Sequence, residues 1–130
     1  MKLLKEGYNE LTKLFGKYID KFNKNDKFTA IGYNVKFDMD FLSNFFKKNN
    51  DKFFGSWISW YALDPMQICF FYDFIGILKL NNYKLGTVCE HFGIELDAHD
   101  ALNDIRATRE VMNKLKLIAL PPKPIKPKMS

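Results

Sequence analysis

Two short apolar runs constrain this chain more than any other feature. Phe28-Thr29-Ala30-Ile31-Gly32-Tyr33 and the stretch from Trp57 to Leu63 have the length and composition of buried β-strands. The segments around them carry helical periodicity, about five helices in all. Helices and strands in alternation predict an α/β layer fold with a parallel pair. Two strands make a poor sheet, because an isolated pair is marginal in water and a parallel pair prefers cover on both faces. The chain therefore reads as an α/β fold with part of its sheet absent.

The helices follow from spacing and punctuation. Leu4, Tyr8, Leu11, Phe15, Tyr18 and Phe22 recur at intervals of four and three, which predicts a long amphipathic first helix. Asn23-Lys24-Asn25-Asp26 then reads as a turn. A second helix is expected from near Asp38 to Lys48, with Met39, Leu42, Phe45 and Phe46 buried and Asn49-Asn50-Asp51 ending it. Asp64-Pro65 supplies an N-cap and a first-turn proline for a third helix that fades near Gly76. Leu85 to Phe92 is a short helix closed by Gly93. The last helix begins near Asp100, carries Ile105, Thr108, Val111, Met112 and Leu115, and stops at Pro121-Pro122. Residues 1–118 are expected to form one domain, and the Pro- and Lys-rich residues 119–130 a disordered tail.

Charge and cysteine usage narrow the class. The 130 residues have a net charge of +5. Residues 1–36 hold eight Lys against four acidic residues, and the tail adds Lys123, Lys126 and Lys128. Basic ends suit a polyanion, because neutralised phosphates release counterions; they equally suit a solvated surface. No run of eighteen apolar residues occurs, so no membrane helix is expected. The first residues lack the apolar block of a signal peptide. Cys69 and Cys89 show neither metal-ligand spacing nor a disulfide framework, which points to a reducing cytoplasmic setting.

Three ionisable residues are candidates for chemistry. Asp38 follows the first strand-like run, and ligands of α/β proteins gather beyond the C-terminal ends of parallel strands. Its plainer reading is a helix cap. His99 and Asp104 lie five positions apart in Asp97-Ala98-His99-Asp100-Ala101-Leu102-Asn103-Asp104. On a continuous helix they would stand about 140° apart, so His99 is placed in the loop before the helix, free to reach toward Asp104. An imidazole can take a proton from water near neutral pH. A surface loop histidine and an exposed helical acid beside Arg106 or Arg109 are the plainer readings.

In combination these segments resemble the DEDDh 3′-5′ exonucleases, the family that includes the proofreading subunit of bacterial replicative DNA polymerase. The second motif of that family resembles Asn34-Val35-Lys36-Phe37-Asp38-Met39-Asp40-Phe41-Leu42, and the third resembles His99-Asp100-Ala101-Leu102-Asn103-Asp104. The flanks Tyr83-Lys84-Leu85, His91-Phe92-Gly93-Ile94, Asp97-Ala98-His99 and Ala107-Thr108-Arg109-Glu110 are similar as well, so the likeness spans residues 28–115. The resemblance implies a ribonuclease H-like fold and phosphodiester hydrolysis with two divalent cations, Mg²⁺ or Mn²⁺. It implies metal-ligand roles for Asp38 and Asp104 and a general-base role for His99. Asn34 and Phe37 would flank the pocket for the 3′-terminal nucleotide of a single strand, or support Asp38.

One element of the family is missing. Its first motif, Asp-x-Glu on the first strand, occurs nowhere in the chain. The expectation is therefore an incomplete ribonuclease H-like fold of about two parallel strands and five helices, with the first strands missing. Such a chain is expected to be inactive alone and to hold one cation or none. Activity would need a strand-supplying partner chain; for the bare strand edge itself, such a partner, a homodimer through that edge or a compensating local rearrangement is expected. A catalytically degenerate module that binds nucleic acid or protein is the alternative, and a fragment with no separate role is a third reading.

Overall fold

The protein is described by a computed structural model that covers residues 2–97 and 100–120. These residues form five α-helices: α1 (Lys2–Gly16), α2 (Val35–Lys48), α3 (Pro65–Phe74), α4 (Leu85–Phe92) and α5 (Ala101–Ala119). A 3-10 turn spans Phe54–Ser56. No described helix is long and apolar enough to cross a membrane. The chain divides between Asp64 and Pro65 into two compact units.

The first unit is built around Phe46, a fully buried ring on α2. Tyr8 of α1 meets it edge-on with centroids 5.3 Å apart, and Phe54 does so at 5.2 Å. Edge-to-face rings add about 0.5–1.5 kcal/mol beyond the area they bury. Val35 and Met39 extend the buried side of α2, with Leu42 and Phe45 packed partly against it. That is the stripe expected from the sequence. The Tyr8 hydroxyl donates to Asp51 Oδ2 at 2.5 Å, tying α1 to the segment after α2. Burial, followed by this bond and the carboxylate's charge, pushes the Tyr8 pKa up to about 12.

α2 ends as its sequence announces. Asn50 takes a left-handed φ of 60°, and Asp51 N donates to Phe46 O at 3.0 Å. This recovers a carbonyl that the helix end would leave bare. α1 ends earlier than its apolar pattern, at Gly16, and Tyr18 and Phe22 are 69% and 88% exposed. The buried residue after the helix is Ile19, whose N–H donates to Phe15 O at 2.9 Å.

The α/β expectation is overturned. None of the described residues lies in a β-strand, so the ribonuclease H-like sheet is not present among them. The two strand-like runs meet only at two isolated parallel bridges, Phe28 with Ile58 and Ile31 with Leu63. Ile58 follows Phe28 by 30 residues, whereas Leu63 follows Ile31 by 32. The register therefore slips by two between the bridges, and no ladder can run through both. The slip lies at Ser59–Ala62, where Ser59 Oγ accepts from Tyr61 N at 3.1 Å. A serine that offers its own acceptor to the backbone competes with a ladder. At the second bridge Ile31 and Leu63 are 53% and 45% exposed, and register is weakly specified where side chains are not buried.

In the second unit α3 and α4 each pack against α5. Cys69 of α3, Val88 and Cys89 of α4, and Ala107, Val111 and Leu115 of α5 are buried in its core, as is Pro65 at the start of α3. The Tyr72 hydroxyl donates to Leu115 O at 3.0 Å inside this core. The start of α4 is set by Asn82, whose Oδ1 accepts from Lys84 N at 3.1 Å and from Thr87 Oγ1 at 2.7 Å. Just before it, Tyr83 donates to Asp73 and accepts from Leu80 N. Gly93 closes α4 with φ 69°, letting Ile94 N reach Cys89 O at 2.8 Å. Along α5 the expected stripe is buried at Thr108, Val111 and Leu115, but Ile105 is 67% exposed. Within the expected tail, Ala119 ends α5 and Leu120 follows it; the rest, residues 121–130, lies outside the described residues.

Candidate functional site

Asn34, Phe37 and Asp38 come together at the N-terminal end of α2. Asn34 precedes the helix in the left-handed region, φ 60° and ψ 50°, and its side chain makes no capping bond. The cap comes from far along the chain. Asp64 accepts from Asn34 N through Oδ1 at 3.1 Å and from Val35 N through Oδ2 at 3.2 Å. One carboxylate thus satisfies two of the donors that a helix start leaves unpaired. The neighbouring Leu63 bonds both Ala30 O and Gly32 N, so the second bridge and the start of α2 form one tied junction.

Asp38 lies in the first turn of α2 and is exposed. Its carboxylate folds back over Gly32: a Cβ at that glycine would stand 3.2 Å from Asp38 Oδ2 and 3.3 Å from Val35 Cγ2. A larger residue at position 32 would displace the carboxylate. Among the described residues the Asp38 side chain has no hydrogen bond and no ion pair. Phe37 beside it is 68% exposed, and Phe41, one turn further on, 63%. Sequence reasoning missed Phe41 as a surface group. Its spacing of four from Phe37 was the available signal.

Asp104 occupies the corresponding place in the second unit, the first turn of α5. Here the cap is local, with Asp100 Oδ1 accepting from Leu102 N at 3.0 Å. Asn103 Oδ1 accepts from Asp97 N at 3.0 Å and fastens the preceding loop to the helix. The Asp104 side chain is half-buried and, among the described residues, makes neither a hydrogen bond nor an ion pair, with Arg106 and Arg109 included. It lies close enough to α4 that, after burial and Glu110, its charge helps push the Cys89 thiol pKa up. His99 lies outside the described residues. Asp38 and Asp104 belong to different units.

Among the described residues no three His, Cys, Asp or Glu side chains form a group that could hold a metal. Two motif carboxylates fall short of a two-cation set, which needs oxygen donors shared around both ions. The described residues of this chain do not fit that cofactor by themselves. No family model, curated protein or solved structure matches the chain.

Proposed function

We propose that this chain contributes part of a DEDDh-type 3′-5′ exonuclease site acting on single-stranded or 3′-terminal nucleic acid, and that a second polypeptide brings the Asp-x-Glu acids. The observation that carries this reading is the matched placement of Asp38 and Asp104. Each falls in the motif where the resemblance puts a metal ligand, and each lies in the first turn of a helix. Neither side chain is taken up by a described neighbour. Negative charge is favoured at a helix N-terminus, and hard carboxylate oxygens suit Mg²⁺ or Mn²⁺. His99 takes the general-base role in this reading, with Asn34 and Phe37 beside the terminal nucleotide. The two buried free thiols, Cys69 and Cys89, go with a reducing cytoplasmic setting.

The test uses 3′-labelled single strands of DNA and RNA in Mg²⁺. The pure chain is expected to release no label, because catalysis by placement loses about a hundredfold for an error near 1 Å. Adding a polypeptide with an Asp-x-Glu strand should start release, and Asp38→Asn or Asp104→Asn should stop it. Robust release by the pure chain, abolished by Asp104→Asn, would refute the need for a second polypeptide.

A second reading, a module that binds without cutting, is favoured by the exposed rings of Phe37, Phe41, Trp60 and Tyr61. Bases stack on such rings at about 1–3 kcal/mol each. Metal-independent, salt-sensitive binding of single strands, with no cleavage in any mixture, would mark this second reading.

A further inference from the structure

We infer that residues 17–27, the turn that follows α1, form a separate surface that holds single-stranded nucleic acid through its phosphates and bases. Residues 13–27 contain Lys13, Lys17, Lys21, Lys24 and Lys27 against Asp20 and Asp26. Both carboxylates are engaged by the turn itself. Asp26 Oδ2 accepts from Asp20 N at 2.8 Å, and Asp20 Oδ1 accepts from Phe22 N at 3.0 Å. Asn23 Oδ1 accepts from Asn25 N at 3.0 Å and tightens the same turn. Lys13, Lys17, Lys21 and Lys24 are exposed and Lys27 is half-buried. None of the five makes an ion pair among the described residues. Glu10, one turn before Lys13, is the nearest acid on α1, and residues 56–59, packed beneath, carry no charge. The positive excess therefore belongs to this surface.

Rings alternate with the lysines. Lys17-Tyr18, Lys21-Phe22 and Lys27-Phe28 each place an aromatic residue directly after a cation. Phe22 is 88% exposed and Tyr18 69%. Both border one cluster of rings. Tyr18 lies 6.3 Å from Phe28, Phe28 5.3 Å from Phe15, and Phe15 6.0 Å from Trp57, between centroids. Lys21 Nζ stands 5.3 Å from the Phe22 centroid and 5.7 Å from that of Trp57, a cation held over rings at the surface. Each nucleotide brings one phosphate for a lysine and one flat base for an exposed ring. An acidic peptide answers the charge alone. An anionic bilayer would gain only one exposed Phe to insert, beside two carboxylates.

This surface stands apart from the Asp38 motif. It leads into Phe28, whereas Asp38 folds back over Gly32 at the other end of residues 28–32. As extended chain that run spans about 13 Å. Strand holding here needs no metal and does not rest on the half-site reading.

Fluorescence anisotropy of the full chain with a labelled oligothymidylate of about twelve nucleotides, in EDTA, tests it. Neutralising four phosphates predicts a fall in affinity of about fiftyfold between about 50 and 200 mM salt. Lys17→Gln with Lys24→Gln should halve the salt slope. Phe22→Ala should weaken binding about fivefold or more at fixed salt, through lost stacking. All three positions are exposed, so the fold does not depend on them. Lys47→Gln with Lys48→Gln, an equal loss of charge at the end of α2, should leave the slope unchanged. Absence of binding, or slopes lowered alike by both lysine pairs, would overturn the surface. So would weakening by Phe37→Ala with none by Phe22→Ala. Displacement by polyglutamate as readily as by unlabelled oligomer, or tighter attachment to phosphatidylserine vesicles, would overturn nucleic acid as the occupant. Failure of the nuclease reading looks different: binding in EDTA persists, yet no mixture with an Asp-x-Glu polypeptide releases 3′ nucleotides.

Discussion

The two units solve the same local problem in different ways. Each begins a helix with a motif aspartate in its first turn, and each must satisfy the amide groups exposed there. The second unit does so within a few residues, through Asp100 on Leu102 N. The first imports Asp64 from thirty positions away, through a junction that also holds the bridge at Leu63. The Asp104 end should form as soon as α5 does. The Asp38 end exists only once the first unit has closed around it. A carboxylate placed by a distant cap depends on tertiary structure in a way its counterpart does not.

Core truncation should separate the units most sharply. Phe46→Ala is expected to cost about 3–5 kcal/mol and Leu115→Ala about 2–5 kcal/mol, from lost burial and the cavity left behind. Amide exchange should show the first variant losing protection across residues 2–64 and the second across residues 65–120. Equal loss in both halves from either change would mean that they unfold as one, and the contrast would fail.

Cap removal comes next. Asp64→Ala should cost about 1–2 kcal/mol and expose the amides of Asn34 and Val35 to exchange, whereas Asp100→Ala should cost about 0.5–1 kcal/mol and expose Leu102 alone. Equal costs, or unprotected Asn34 and Val35 amides in the parent chain, would remove the distinction between local and distant capping.

The smallest effect is alkaline. Tyr8 has a folded pKa raised to about 12 from 10.0, so its bond to Asp51 supports folding fully below pH 10. That support is lost as pH rises through about 12, because the unfolded phenol ionises first. Denaturation midpoints between pH 9 and 12 should fall less for Tyr8→Phe than for the parent. Parallel pH curves would show that the clamp contributes nothing.

Much of the fold was legible because its signals are local. α4 is bounded as the sequence suggested, since Gly93 alone permits the left-handed close. Asp100 and the Asn49-Asn50 pair likewise announced one helix start and one helix end. α2 begins three residues earlier than expected, at Val35, because Asp64 secures its first donors. The sheet was not legible. Both strand-like runs have apt composition, but a two-residue slip at Ser59–Ala62 leaves them only two bridges. For the candidate site, the first-turn positions of Asp38 and Asp104 followed from motif and helix together. The exposure of Phe41 and the role of Asp64 did not.

By itself the sequence determined where helices form, which sides of them are apolar, and which motif acids stand at their starts. These depend on spacings of three and four residues and on turn residues acting over a few positions. Only the tertiary structure decided that the strand-like runs would meet without a sheet, that α1 would stop at Gly16, and that Asp64 would cap a helix thirty residues earlier. Those outcomes turn on register and on contacts between distant segments, where the hydrogen-bond partner of each group is chosen by packing.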